Sequence, residues 1–246
     1  MTSLVFVHGL MGGSQQWAQQ QEAFSDFDSV ALDLPGFGRN AQIKALTSIS
    51  DFADWALAEL SSRGVQRFSL IGHSMGGMVA QEMVAHAPER VDRLVLYGTG
   101  ATGVLPGRFE TIATSKDRVQ AEGASATARR IAATWFLHKD QAPAYESCAK
   151  IAQLSGLEAI LAGLDAMNGW SGTAYLPHIK TKTLVIWGDH DRTYPWKQTE
   201  ELWSSIEGAC LAVLPGCAHA SHLEKSVLFN AILENFLTDF ENTSVR

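Results

Sequence analysis

The stretch Phe68-Ser69-Leu70-Ile71-Gly72-His73-Ser74-Met75-Gly76-Gly77 constrains this chain more than any other. An apolar run ends on Gly-x-Ser-x-Gly and passes directly into a helical pattern. Glycine at both −2 and +2 has a steric reason: the serine sits on a very tight strand-to-helix turn, where only small neighbours let the backbone pass. Such a turn pushes the hydroxyl out above the carboxyl edge of a parallel sheet, where ligands of open α/β sheets bind. The bland alternative is a helix N-cap serine. Both flanking glycines, with a strand before and a helix after, favour a nucleophile, Ser74.

The rest of the chain supplies such a sheet. Short runs rich in Val, Leu and Ile, each closed by Gly, Pro or Asp, predict strands at Leu4–His8, Ser29–Asp33, Phe68–Ile71, Leu94–Tyr97, Thr183–Trp187 and Cys210–Leu214. Helical patterns fall between them, over Asp51–Ser62, Met75–His86, Trp196–Ser205 and Leu228–Phe240. This alternation gives a mostly parallel sheet with helices on both faces. It is interrupted once. Between Tyr97 and Thr183 only helical patterns occur, over Thr127–His138, Ala144–Leu154 and Leu157–Met167. The expected organisation is therefore a core of residues 1–101 and 176–246, with 102–175 as an inserted helical lid.

A serine hydroxyl is a weak nucleophile until a neighbouring base takes its proton. On a Gly-x-Ser-x-Gly elbow the acid and then the base come from further along the chain. His219, in Leu214-Pro215-Gly216-Cys217-Ala218-His219, follows the last strand in a Gly-containing loop, and only His222 competes nearby. A carboxylate must hold the imidazole tautomer and stabilise the imidazolium that forms. Trp187-Gly188-Asp189-His190-Asp191 offers two, and local chemistry leaves Asp189 and Asp191 both open. The developing oxyanion needs two N–H donors. Met75, at a helix N-terminus, supplies one, and Leu10, in His8-Gly9-Leu10-Met11-Gly12-Gly13-Ser14, is the candidate for the other. His8 and His73 are expected to be structural.

Composition excludes other classes. With 46% hydrophobic and 18% charged residues, the 246-residue chain suits one folded domain with a large core rather than disorder. A net charge of −7 and the lack of any Lys/Arg run argue against nucleic acid. The first residues carry no basic segment and only a four-residue apolar stretch, so neither a signal peptide nor a membrane anchor is expected. Cys148, Cys210 and Cys217, with no CxxC spacing, suggest reduced thiols in the cytoplasm. No metal-ligand spacing or phosphate loop occurs, and no cofactor is expected.

Taken together, Val7-His8-Gly9, Asp33-Leu34-Pro35-Gly36-Phe37-Gly38, Gly72-His73-Ser74-Met75-Gly76-Gly77, Pro88-Glu89-Arg90-Val91, Trp187-Gly188-Asp189-His190-Asp191 and Gly216-Cys217-Ala218-His219 with Leu223-Glu224 resemble the α/β-hydrolase superfamily along nearly the whole chain. In that family's pattern the acid is the third residue after the glycine, which lands on Asp191. Gly76-Gly77-Met78-Val79-Ala80-Gln81 and Ala132-Ala133-Thr134-Trp135-Phe136 look most like the 3-oxoadipate enol-lactonase and carboxylesterase branch. Two features depart from the family: this chain starts almost directly in the His-Gly strand, where family members usually begin with an extra β-hairpin, and Asn40 stands where serine is common. Neither touches the triad.

The resemblance implies a serine hydrolase acting through an acyl-enzyme on a small to medium, largely apolar ester or lactone. Within that family Ser74 excludes the dehalogenase and epoxide-hydrolase branches, which need a carboxylate nucleophile at that elbow. Trp135 and Trp170 are the lid residues expected to contact substrate. Arg129, Arg130 and Arg192 are candidate anchors for a substrate carboxylate and otherwise ordinary surface charges. A carbon–carbon hydrolase of ring-cleavage products is an alternative, disfavoured because those enzymes often carry Asn where His73 stands. A ligand-sensing protein that keeps the fold and triad is another. Oligomeric state is not legible.

Overall fold

The computed structural model describes residues 2–104 and 110–238. Among them are six strands, β1 (Ser3–Val7), β2 (Ser29–Leu32), β3 (Phe68–His73), β4 (Val91–Tyr97), β5 (Lys182–Gly188) and β6 (Cys210–Leu214). They form one sheet in the order β2-β1-β3-β4-β5-β6, and every pairing is parallel. The helices are α1 (Ala18–Ala23), α2 (Ile49–Ser62), α3 (Met75–His86), α4 (Ile112–Glu122), α5 (Ala124–Thr134), α6 (Tyr145–Ala152), α7 (Leu157–Asn168), α8 (Trp196–Ser205), α9 (Ser221–Glu224) and α10 (Ser226–Thr238). No helix of the described residues is long and apolar enough to cross a membrane.

Side-chain alternation along each strand divides the core in two. Val5, Val7, Leu70, Leu94, Leu96 and Val185 face one way, into a cluster with Phe52 and Leu60 of α2, Met78 and Met83 of α3 and Leu202 of α8. Leu4, Phe6, Ile71, Val95, Tyr97, Leu184 and Ile186 face the other way, against Trp17, Phe24 beside α1, and Phe229, Leu233 and Phe236 of α10. Both faces of the central strands are thus buried, which is why they are apolar at nearly every position.

Helices α4 to α7 lie between β4 and β5 in one continuous segment of the chain. Its two ends meet: Thr102 and Ser171 form an antiparallel bridge, Gly103 N–H donates to the Trp170 carbonyl (3.0 Å), and Gly172 N–H donates to the Ala101 carbonyl (2.8 Å). Residues 105–109 of the expected insertion, and the last two residues of the expected helix Leu228–Phe240, lie outside the described residues.

Three local expectations are corrected. No element was expected over α4, because Ile112, Ser115 and Val119 are its only buried residues and leave a faint apolar stripe. The short α1, with Gln20 alone buried, carries even less pattern. The helix expected over Thr127–His138 instead starts at Ala124 and ends at Thr134. It stops because the next residues bond elsewhere: the Trp135 carbonyl accepts from Ala220 N–H (2.8 Å), and Leu137 N–H donates to Glu224 Oε1 (2.7 Å).

Candidate active site

Ser74 is the single residue between β3 and α3, with φ 56° and ψ −124°. A non-glycine residue held there stores on the order of 1–3 kcal/mol of backbone strain. Its backbone is pinned on three sides. Ser74 N–H donates to the Tyr97 carbonyl (3.0 Å), and its own carbonyl accepts from Thr99 Oγ1 (2.7 Å) and Gly77 N–H (2.9 Å). The glycines are needed for the reason anticipated. A Cβ on Gly72 would fall 2.5 Å from the Gly76 carbonyl oxygen, and one on Gly76 would fall 2.3 Å from the Val7 carbonyl oxygen. The Ser74 side chain makes no capping hydrogen bond to α3, although it occupies the N-cap position.

The loop after β1 passes close to this elbow. Gly12 N–H donates to the Gly9 carbonyl (2.9 Å) in a tight turn with Met11 at φ 58°, leaving Leu10 at its tip. A Cβ on Gly9 would lie 2.8 Å from Ser74 Cβ, so glycine is what lets this loop approach the serine. His8 secures the loop. Its Nε2 accepts from Leu34 N–H (3.0 Å), so the proton is on Nδ1, which donates to the Gly9 carbonyl (2.7 Å). Burial lowers the pKa of His8 and keeps the ring neutral, as this bond pattern requires. Asp33 adds a second tie, accepting from Ser14 N–H (2.8 Å) and Ser14 Oγ (2.7 Å).

Asp191 and His219 come from the loops after β5 and β6. Asp191 Oδ1 accepts from the N–H groups of Thr193 (2.7 Å) and Tyr194 (3.1 Å), and Oδ2 lies 2.8 Å from His219 Nδ1. A carboxylate only accepts here, so Nδ1 carries the proton and Nε2 is left as the basic nitrogen. Both side chains are buried. The Tyr194 ring stacks on the imidazole at 5.6 Å. Asp189 has a different place: its Oδ1 accepts from Gly216 N–H (2.8 Å) and Cys217 N–H (3.4 Å), bracing the loop that carries His219.

Behind His219 lies a cluster of rings. The His219 carbonyl accepts from the Tyr97 hydroxyl (2.6 Å) and from His73 Nε2 (3.0 Å), and the His73 and Tyr97 rings stack at 4.5 Å. With its one proton so engaged, the Tyr97 hydroxyl accepts from His222 Nδ1 (3.3 Å). His73 is driven well below the usual histidine range by burial, aided by the neighbouring His219 and His222. Burial, again aided by His219, pushes His222 down to about 3. Both rings are neutral, and neither is placed as the partner of Asp191.

Ser74 and His219 line one cavity of about 10 Å³, together with Leu10, Gly12, Gln16, Trp135 and His222. Trp135 thus lines the same cavity as Ser74. Trp170 does not. It packs over α3, its Nε1 donating to the buried carboxylate of Glu82 (2.7 Å), in a separate groove with Thr102 and Gln198. A buried indole N–H needs an acceptor, and the one it found draws the ring away from Ser74. Arg129 is paired with Glu146, and Arg130 with Glu110 and Glu122. Sequence reading gave no role to Tyr97 or Gln16. Strand parity places Tyr97 with Val95 on the α10 face; nothing in the local pattern singles out Gln16.

An all-parallel sheet with a strained serine at the carboxyl end of its central strand β3 defines an α/β protein with its candidate site at the sheet edge. A family model described as alpha/beta hydrolase fold matches residues 2–226, and the chain belongs to that family. It is 29% identical over 241 residues to a putative carbamate hydrolase, RutD, of Pseudomonas savastanoi pv. phaseolicola, spanning 95% of this chain and 93% of that protein. Among solved structures, the fold is similar to the enol-lactonase of Burkholderia xenovorans LB400 (TM-score 0.88, 24% identity, 97% of this chain and 92% of that one). It is also similar to a thermophilic esterase of Thermogutta terrifontis (TM-score 0.86, 24% identity, 96% and 89%).

Proposed function

We propose that the protein is a serine hydrolase that cleaves a carboxylic ester or lactone of a small to medium, largely apolar substrate. The observation that carries this reading is the strained Ser74, its side chain unused as a cap, lining one cavity with a histidine whose other nitrogen is held by Asp191.

In this reading His219 Nε2 takes the Ser74 proton as Oγ attacks the carbonyl carbon. Asp191 holds the tautomer and balances the imidazolium. The N–H groups of Leu10 and Met75 receive the oxyanion, each worth on the order of 10²–10³ in rate. His219 then hands its proton to the leaving alkoxide and activates the water that releases the acid and Ser74. The inserted helices act as a lid, with Trp135 as its contact to substrate. The working place is the cytoplasm, in keeping with the three free cysteines. The same cavity and family suit a carbamate, so a carbamate belongs in the substrate panel.

The test is hydrolysis of p-nitrophenyl acetate by wild type and Ser74→Ala, with circular dichroism as the control on folding. Loss of activity by at least 10³-fold in the variant is the expected result. Equal rates from the two would overturn the reading. So would failure of a fluorophosphonate to label Ser74 in the active wild type.

A further inference from the structure

The cavity beside Ser74, about 10 Å³, has room for roughly one water and no more. Any ester must therefore place most of its atoms elsewhere. Immediately next to it lies a groove of about 800 Å³ between α1 and α6, floored by Phe136, Ala142, Ile151 and Leu223, with the exposed Leu154 at its edge. One side chain, Gln16, lines both spaces. Its Oε1 accepts from Gly13 N–H (3.3 Å) and rests on Gly12, where a Cβ would fall 2.6 Å from it. In the groove its side chain faces Cys148 of α6. Gln16 thus spans from the loop beside Ser74 to the inserted helices, as a partition between the serine and an apolar trough.

We propose that this groove seats a straight aliphatic arm of the substrate and that Gln16 is the movable side chain dividing it from Ser74. The inference rests on the hydrolase reading for the word substrate, but the seat itself does not. The buried lining of the trough is apolar apart from Gln16 and the half-buried Glu224, while Gln15, Gln19 and Lys150 are exposed residues at the rim. A flexible hydrocarbon chain gains there by leaving water. A polar headgroup would gain little there, since the Glu224 carboxylate is already engaged by Leu137 and Ala218 N–H (both 2.7 Å) and the Gln16 oxygen by Gly13 N–H. Rotation of Gln16 gives up its hydrogen bond to Gly13 N–H and joins the two spaces without moving a helix.

Two ester series separate the possible origins of the arm: p-nitrophenyl esters of C2 to C8 acids for the acyl side, and acetates of C2 to C8 alcohols for the alkoxy side. In wild type, kcat/KM should rise with chain length in one of them. Ser147→Trp fills the trough from an exposed position, where folding is not at risk. It should lower the C8-to-C2 ratio of kcat/KM at least tenfold, whereas Gln16→Ala should raise it severalfold. A flat profile in both series, or one that Ser147→Trp leaves unchanged, overturns the proposal. Calorimetric titration of octanoate reads the seat without turnover. Wild type and Ser74→Ala should bind it and Ser147→Trp should lose at least tenfold in affinity. Equal affinity across the three overturns the seat. Inactive wild type with intact octanoate binding overturns the hydrolase reading alone.

Discussion

Gly72 and Gly76 have no functional groups, yet the elbow depends on them as much as on Ser74. The atoms that a Cβ on Gly76 would meet belong to the backbone of Val7 and His8, in the middle of the fold, and cannot swing aside. Gly76→Ala is therefore expected to cost about 3 kcal/mol or more, read as a fall in the urea midpoint or as insoluble protein. A midpoint within experimental error of wild type would contradict the steric account. The two carboxylates after β5 make a sharper pair. Asp191→Asn leaves the size of the side chain but presents an amide to His219 Nδ1, and kcat on p-nitrophenyl acetate should drop by about 10⁴. Asp189→Asn keeps an acceptor oxygen for Gly216 N–H and should stay within a few-fold. The opposite ranking would reassign the two. At this scale the sequence was legible where spacing imposes geometry, at Ser74 and its glycines. It was mute where a residue matters through a partner distant along the chain, as Tyr97 does through the His219 carbonyl, or Trp170 through Glu82.

Among the elements, the strands were easiest to read. Central β1, β3 and β4 are buried on both faces and so are apolar almost throughout, and their expected and observed ranges differ mainly at the ends. Edge strand β6 is half exposed but still starts and ends at Cys210 and Leu214 as expected. The inserted helices were read less well, because α5 ends for a tertiary reason. Glu224 is that reason: its two oxygens accept from Leu137, just past α5, and from Ala218, one residue before His219. This carboxylate clamps the insertion to the loop bearing the imidazole. Glu224→Ala would leave both N–H groups without an acceptor and should cost about 2–3 kcal/mol in urea unfolding. Glu224→Gln retains one acceptor and should lose about half as much. Equal stability of all three proteins would show the clamp to be idle.

For the molecule as a whole, three buried neutral histidines set how stability depends on pH. His8, His73 and His222 all have pKa values lowered by burial, His222 to about 3 against 6.5 for a free side chain. Between those two values the unfolded chain binds more protons at His222 than the folded one, so stability falls as pH drops. His222 contributes up to about 1.4 kcal/mol per pH unit between those two values and little above about 6.5, and His8 and His73 act in the same direction. Urea midpoints at pH 7.5, 5.5 and 4.5 should decline, and the decline should be shallower in His222→Phe. Identical slopes in the two proteins would refute the assignment. The placement of the site residues along the chain has a consequence in time as well. Ser74 and the Leu10 loop lie in the first third, while Asp191 and His219 follow β5 and the edge strand β6, which pairs only with β5. A chain emerging from the ribosome in order carries Ser74 long before Asp191 and His219 have been made, and the domain closes as a unit. Under the proposed chemistry the nascent protein is inert, and is armed only when its last quarter docks and His219 settles onto Tyr97 and Asp191.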